Sequence, residues 1–145
     1  MKSFLKISLF GCVLGFLFAS QLQAAPIPLV SVTASPATVN REILQPAQFT
    51  IHLSTPAPQK IGVVFYVGGT ARLGFDYTLS GTFTNSGAIV IPAGQSSATV
   101  TLLPRIQDAR FARETATMNL VHDLQNPHTY QLGSPTRTNV FLVVE

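Results

Sequence analysis

The chain has 145 residues, a formal net charge of +3, 46% hydrophobic residues and only 10% charged ones. This length suits one domain whose core can hold without covalent staples. The charge is no signal for nucleic acid, because two of the nine basic residues, Lys2 and Lys6, sit in a removable N-terminal segment and no basic tract follows.

Residues 1–24 read as a signal peptide. Lys2 and Lys6 give the positive n-region, 7–19 the apolar h-region, and Gln21-Leu22-Gln23-Ala24-Ala25 a small-residue cleavage site with the cut after Ala24. The apolar run is short for a membrane span, which needs about 20 residues. Cys12 lies inside that run, and Phe10 before it does not suit a lipoprotein box. Cleavage leaves a single domain over 25–145, with seven basic residues against six acidic and no cysteine. Export permits disulfides, yet none can form there, so packing must supply the stability. The expected location is the periplasm, the cell surface or the exterior.

From there the periodicity is that of strands. Phe49, Ile51 and Leu53 alternate with polar neighbours, as do Val63, Phe65 and Val67, then Ala98, Val100 and Leu102. Ala116, Met118 and Leu120 continue the pattern, and Val140, Leu142 and Val144 end it. Alternation with period two puts one set of side chains on a buried face. Strands are predicted over 29–34, 48–54, 61–68, 78–84, 97–103, 115–122 and 138–144, with 88–91 as a further short candidate. Ser35-Pro36, Pro56-Ala57-Pro58, Asn85-Ser86-Gly87, Pro92-Ala93-Gly94, Asn126-Pro127 and Gly133-Ser134-Pro135 are the turns between them. About seven short strands at this spacing describe an all-β, immunoglobulin-like antiparallel sandwich.

The most distinctive stretch is Gly68-Gly69-Thr70-Ala71-Arg72-Leu73-Gly74-Phe75-Asp76-Tyr77-Thr78, a glycine-rich loop with one acid and one tyrosine. Around it stand Ser35-Pro36-Ala37-Thr38-Val39 with Glu42 close behind, the strand 49–54, the turn and strand Ile91-Pro92-Ala93-Gly94-Gln95-Ser96-Ser97-Ala98-Thr99-Val100, Glu114-Thr115, and Tyr130-Gln131-Leu132-Gly133-Ser134-Pro135. In this order they resemble the Calx-beta domain family over roughly residues 29–145.

That resemblance implies an immunoglobulin-like sandwich and calcium as a possible cofactor. In calcium-binding members, acids gather at one end of the sandwich, from the first loop, the Asp-Tyr motif and an acidic run before the penultimate strand. The matching positions are Glu42, Asp76, Asp108 and Glu114. Calcium takes six to eight oxygen ligands. The segment that should supply most of them reads Asp108-Ala109-Arg110-Phe111-Ala112-Arg113-Glu114, with apolar and basic residues at positions where the family tends to carry acids. Arg41, Arg72 and Arg105 are placed at the same end. Carboxylates facing guanidiniums pair with them rather than hold a dication, so the expectation is a retained sandwich with a degraded calcium site.

Asp76 has a second reading, as the acceptor of backbone N–H groups that fixes its turn, and Tyr77 one as a ring packed at the sandwich end. His52, His122 and His128 do not form a zinc set, which needs three or four convergent ligands. No nucleophile elbow, phosphate-cradling loop or carboxylate pair across a cleft appears, so the chain is not expected to be an enzyme. The leading expectation is an exported interaction module that binds a protein or glycan. A calcium-responsive module, and an adhesin-type subunit assembling edge to edge through the terminal strand 140–144, stand as alternatives.

Overall fold

The computed structural model describes residues 26–81, 87–106 and 112–144. Among these there is no helix, and hence none long and apolar enough to cross a membrane. The strands are β1 (Leu29–Ser35), β2 (Thr38–Asn40), β3 (Ala47–Leu53), β4 (Ile61–Gly69), β5 (Tyr77–Gly81), β6 (Ala88–Ile91), β7 (Ser97–Pro104), β8 (Arg113–Leu120), β9 (Gln131–Leu132) and β10 (Arg137–Val143). They form two five-stranded sheets, ordered β5-β7-β3-β1-β9 and β2-β10-β8-β4-β6.

The all-β sandwich is thus as expected, but ten strands stand where about seven were predicted. β6 is the short candidate at 88–91, and β2 and β9 are the additions, all three at sheet edges. β2 and β9 are three and two residues long, too short for period-two alternation to register. They also pair in parallel, β2 with β10 and β9 with β1, with partners distant in sequence that no local pattern announces. The predicted strand 78–84 is described as β5 up to Gly81, and the rest of it lies outside the described residues.

Alternation builds the core. Val30 and Val32 of β1, Phe49 and Ile51 of β3, and Val100 and Leu102 of β7 turn inward from one sheet. Val63 of β4, Ile89 and Ile91 of β6, Ala116 and Met118 of β8, and Val140 and Leu142 of β10 meet them from the other, all fully buried. Fully burying each large aliphatic side chain contributes about 1.5–3 kcal/mol, which explains how a chain without disulfides holds this shape.

Two features of the sheets bear on function. β10 pairs with β8 along 137–143 and with β2 at 141–143, so the C-terminal strand lies within its sheet and has no free edge over 141–143. For strand addition through 140–144 this means that β2 already occupies the edge at 141–143. Second, the turn after β2, the loop between β4 and β5, and the end of β7 all meet at one end of the sandwich. Arg41 N donates to Val143 O (2.9 Å), Ala71 N to Thr115 O (3.0 Å) and Arg105 N to Asp76 O (2.9 Å).

Candidate functional site

Among the described residues, the loop end is organised around a buried cation, the guanidinium of Arg41. Val39 points inward from β2 and Asn40 outward, so Arg41, next in phase, turns back under the loops and is only 2% exposed. The turn that follows is closed by Leu44 N donating to Arg41 O (3.2 Å) and Glu42 N to Asn40 Oδ1 (2.7 Å).

Two buried carboxylates meet this guanidinium. Asp76 is 2% exposed and accepts from Arg41 Nη2 at 3.0 Å. Glu114, 5% exposed, is the first inward-facing residue of β8 and accepts from Arg41 Nη1. One guanidinium therefore spans two acids 38 residues apart in sequence, using separate nitrogens of its planar fork. The other oxygen of Asp76 is also engaged, accepting the backbone N–H of Arg72 at 2.6 Å, while Arg72 Nε stands 3.8 Å away. The arginine–Asp76 contact comes in two strengths: that with Arg41 is desolvated on both sides, whereas the Arg72 side chain is half exposed and screened by water.

The loop that carries Asp76 has backbone reasons for its sequence. Asp76 N donates to Arg72 O (2.8 Å) and Gly74 N to Tyr77 O (2.8 Å), which makes a tight turn with Gly74 at φ +87°. Gly69 ends β4 at φ +112°, its Cα pressed against β8 so closely that a Cβ would lie 2.0 Å from Thr115 O. Arg105 ties in the third segment, donating from Nη1 to Gly74 O.

Asp76 thus does both things expected of it as a loop-fixing residue, taking a backbone N–H and pairing with arginine. Glu114 also pairs with an arginine. Glu42, the third candidate, is exposed, and its backbone N–H donates to Asn40. Asp108, with Ala109, Arg110 and Phe111, lies outside the described residues. Among the described residues, no group of three or more histidine, cysteine, aspartate or glutamate side chains converges to hold a metal ion.

What sequence reasoning missed is the special position of Arg41. In the sequence it stands only as one of several loop arginines, beside Arg72 and Arg105. Extending the phase of Val39 by two residues points to Arg41. Tyr77 packs as anticipated, 1% exposed behind Asp76. Burial, and then the nearby Asp76 charge, push its phenol up to about 12. A phenol harder to ionise when folded stabilises the fold fully below pH ~10 and loses that contribution as pH rises through about 12. Chemical denaturation of Tyr77→Phe beside the parent should therefore show the parent losing stability relative to the variant between pH ~10 and ~12. Parallel curves over that range would show that Tyr77 ionises freely.

The histidines stay apart: His52 contacts Thr33 Oγ1 at 3.0 Å on the outward face of β1 and β3, and His122 and His128 belong to the loop before β9 at the opposite end. That loop is anchored by Tyr130, whose hydroxyl donates to Val121 O (2.6 Å) and accepts from Val64 N (3.1 Å). Shallow clefts of about 460 and 370 Å³ flank it, one containing His122 and Asp123 and the other His128.

The chain aligns with the apo form of the Calx CBD1 domain at a TM-score of 0.57 and 14% identity, over 81% of this chain and 98% of that one. The fold is Calx-beta-like. It aligns similarly with the calcium binding domain CBD12 of CALX1.1 (TM-score 0.57, 14% identity) and with CBD12 from CALX1.2 (0.58, 14%). The match covers 80% and 81% of this chain, but only 44% of each of those two. No family profile and no curated protein sequence matches the chain. At this identity the likeness establishes the architecture, and function has to be argued from the loop end itself.

Proposed function

We propose that the chain is an exported, non-enzymatic interaction module of Calx-beta-like fold whose loop end is locked by an internal cation instead of calcium, and which binds a protein or glycan partner in the cell envelope or outside the cell. The observation that carries this reading is Arg41, buried between Asp76 and Glu114. Two of the four candidate calcium ligands, Glu42, Asp76, Asp108 and Glu114, are committed to its guanidinium, which supplies the positive charge that a bound dication would otherwise bring. A side chain that is part of the chain cannot dissociate. The loops are therefore held at every calcium concentration, as suits a module whose binding surface is permanently formed.

Thermal unfolding with and without calcium tests this. At about 10 mM calcium, a site with a dissociation constant of about 1 mM would add about 1.4 kcal/mol, worth roughly 4–8 °C in a domain of this size. The expected shift between chelator and calcium is below about 1 °C. A saturable rise of several degrees would replace this reading with that of a calcium-responsive module, even one with the weak affinity of extracellular sites.

A further inference from the structure

The loops gathered by Arg41 carry an unusual set of side chains at their tips. Among the described residues ten large hydrophobic side chains are exposed, and half of them belong to this end: Ile43 (72%), Leu44 (48%), Leu73 (54%), Phe75 (58%) and Ile106 (68%). Scattered exposed apolar residues need no explanation, but a cluster at one pole does. Ile43 and Leu44 follow Arg41, Leu73 and Phe75 precede Asp76, and Ile106 follows Arg105, so the same contacts that build the buried ion pair bring these tips together.

Two further observations point to a ligand. Leu44 adopts φ +53°, a left-handed conformation that favours glycine, and keeps its side chain half exposed there. Backbone strain at a non-glycine residue that gains no core contact is a mark of a functional surface. Guanidiniums stand beside the apolar tips: Arg72 lies over the Phe75 ring, 5.0 Å from its centroid, and Arg105 is exposed while hydrogen-bonded to Gly74 O. Glu42 is the exposed acid on these loops among the described residues.

We infer that this end docks on an anionic lipid bilayer surface, with Ile43, Leu44, Leu73, Phe75 and Ile106 entering the interfacial region and Arg72 and Arg105 paired with lipid phosphates. The apolar side chains stand exposed on three separate turns rather than in one continuous strand face, a placement suited to a fluid interface. Arginine stems lie along apolar surface while their heads reach charged groups, and the pairing of apolar insertion with cationic attraction is how peripheral proteins hold to anionic membranes. The clefts of 460 and 370 Å³ lie at the other pole and remain free for a partner. The inference rests on the loop end being locked without calcium, and the two fail separately because vesicle binding is measured in chelator.

The experiment is co-sedimentation of the full-length protein with vesicles of phosphatidylglycerol and phosphatidylethanolamine, against phosphatidylcholine alone, with intact mass reporting whether residues 1–24 are present. The parent should partition at least about tenfold better onto the anionic vesicles and lose that preference in high salt. Phe75→Ser with Ile106→Ser should reduce partition at least about tenfold, the scale of one buried apolar side chain. Arg72→Gln should cost about fivefold on anionic vesicles and nothing on neutral ones, while Glu42→Gln should improve anionic binding several-fold. A parent that stays in the supernatant overturns the inference, as does binding that the loop substitutions leave unchanged, which would place the contact in residues 1–24. Recovery of a protein whose binding is abolished by the same substitutions would make these tips a protein-docking surface instead.

Discussion

Replacing Arg41 with alanine is expected to lower stability by about 3–5 kcal/mol, the cost of leaving buried charges without their counter-ion. Asp76 and Glu114 are 2% and 5% exposed, so neither can rely on solvent once the guanidinium is gone. For a domain of this size the loss corresponds to a drop of roughly 10–20 °C in Tm. The destabilisation should come from the stranded carboxylates more than from the lost attraction. Arg41→Met combined with Asp76→Asn and Glu114→Gln, which removes all three charges and keeps the volume, should therefore recover most of the stability lost in Arg41→Ala. Denaturant titrations of the parent and both variants decide the matter. If Arg41→Ala stays within about 1 kcal/mol of the parent, the ion pairs are not what holds this end together, and both the calcium-independent reading and the fixed placement of the loop tips lose their basis.

Gly69→Ala should be as damaging for a different reason. A Cβ there would stand 2.0 Å from the Thr115 carbonyl oxygen, and φ +112° is a region that side-chain-bearing residues rarely adopt. The clash is with backbone, so no rotamer change relieves it. Relief requires parting β4 from β8 at the Gly69–Ala116 pair, at the root of the loop that carries Asp76. A cost of about 3 kcal/mol or more is expected. Gly68 is its control: nothing lies within 4 Å of a Cβ built there, and Gly68→Ala should be close to neutral. Gly74, with open space but φ +87°, falls between them, at about 1 kcal/mol for strain alone. Urea midpoints for the three variants give the ranking. Equal midpoints for Gly69→Ala and Gly68→Ala would mean that the close approach of β4 and β8 is not required.

How far the loop end could be read in advance depends on which residues are considered. Asp76 and Glu114 were visible because they stand at fixed places in motifs, a glycine loop and the start of a strand. Their pairing with arginine was foreseeable from composition, since too few acids and too many guanidiniums share that region. Which arginine does it was not visible, because Arg41, Arg72 and Arg105 differ little as letters. They differ in burial, and burial follows from where β2 ends and how its phase continues, in a strand only three residues long. Glu42 stands exposed on the same ground: one position along a chain turns a side chain from the interior to water.

By itself the sequence determined the class of fold, because alternating apolar residues and turn-formers act locally and leave a sandwich as the way to bury one face of each strand. It also set arginines and apolar residues among the candidate acids Glu42, Asp76, Asp108 and Glu114. Tertiary structure alone decided the short parallel edges β2 and β9, the interior place of β10, and the choice of Arg41 as the buried cation between Asp76 and Glu114. These depend on pairings between residues far apart in the chain, where the free energy lies in excluding water from a specific contact, and a single strand's pattern carries no record of its partner.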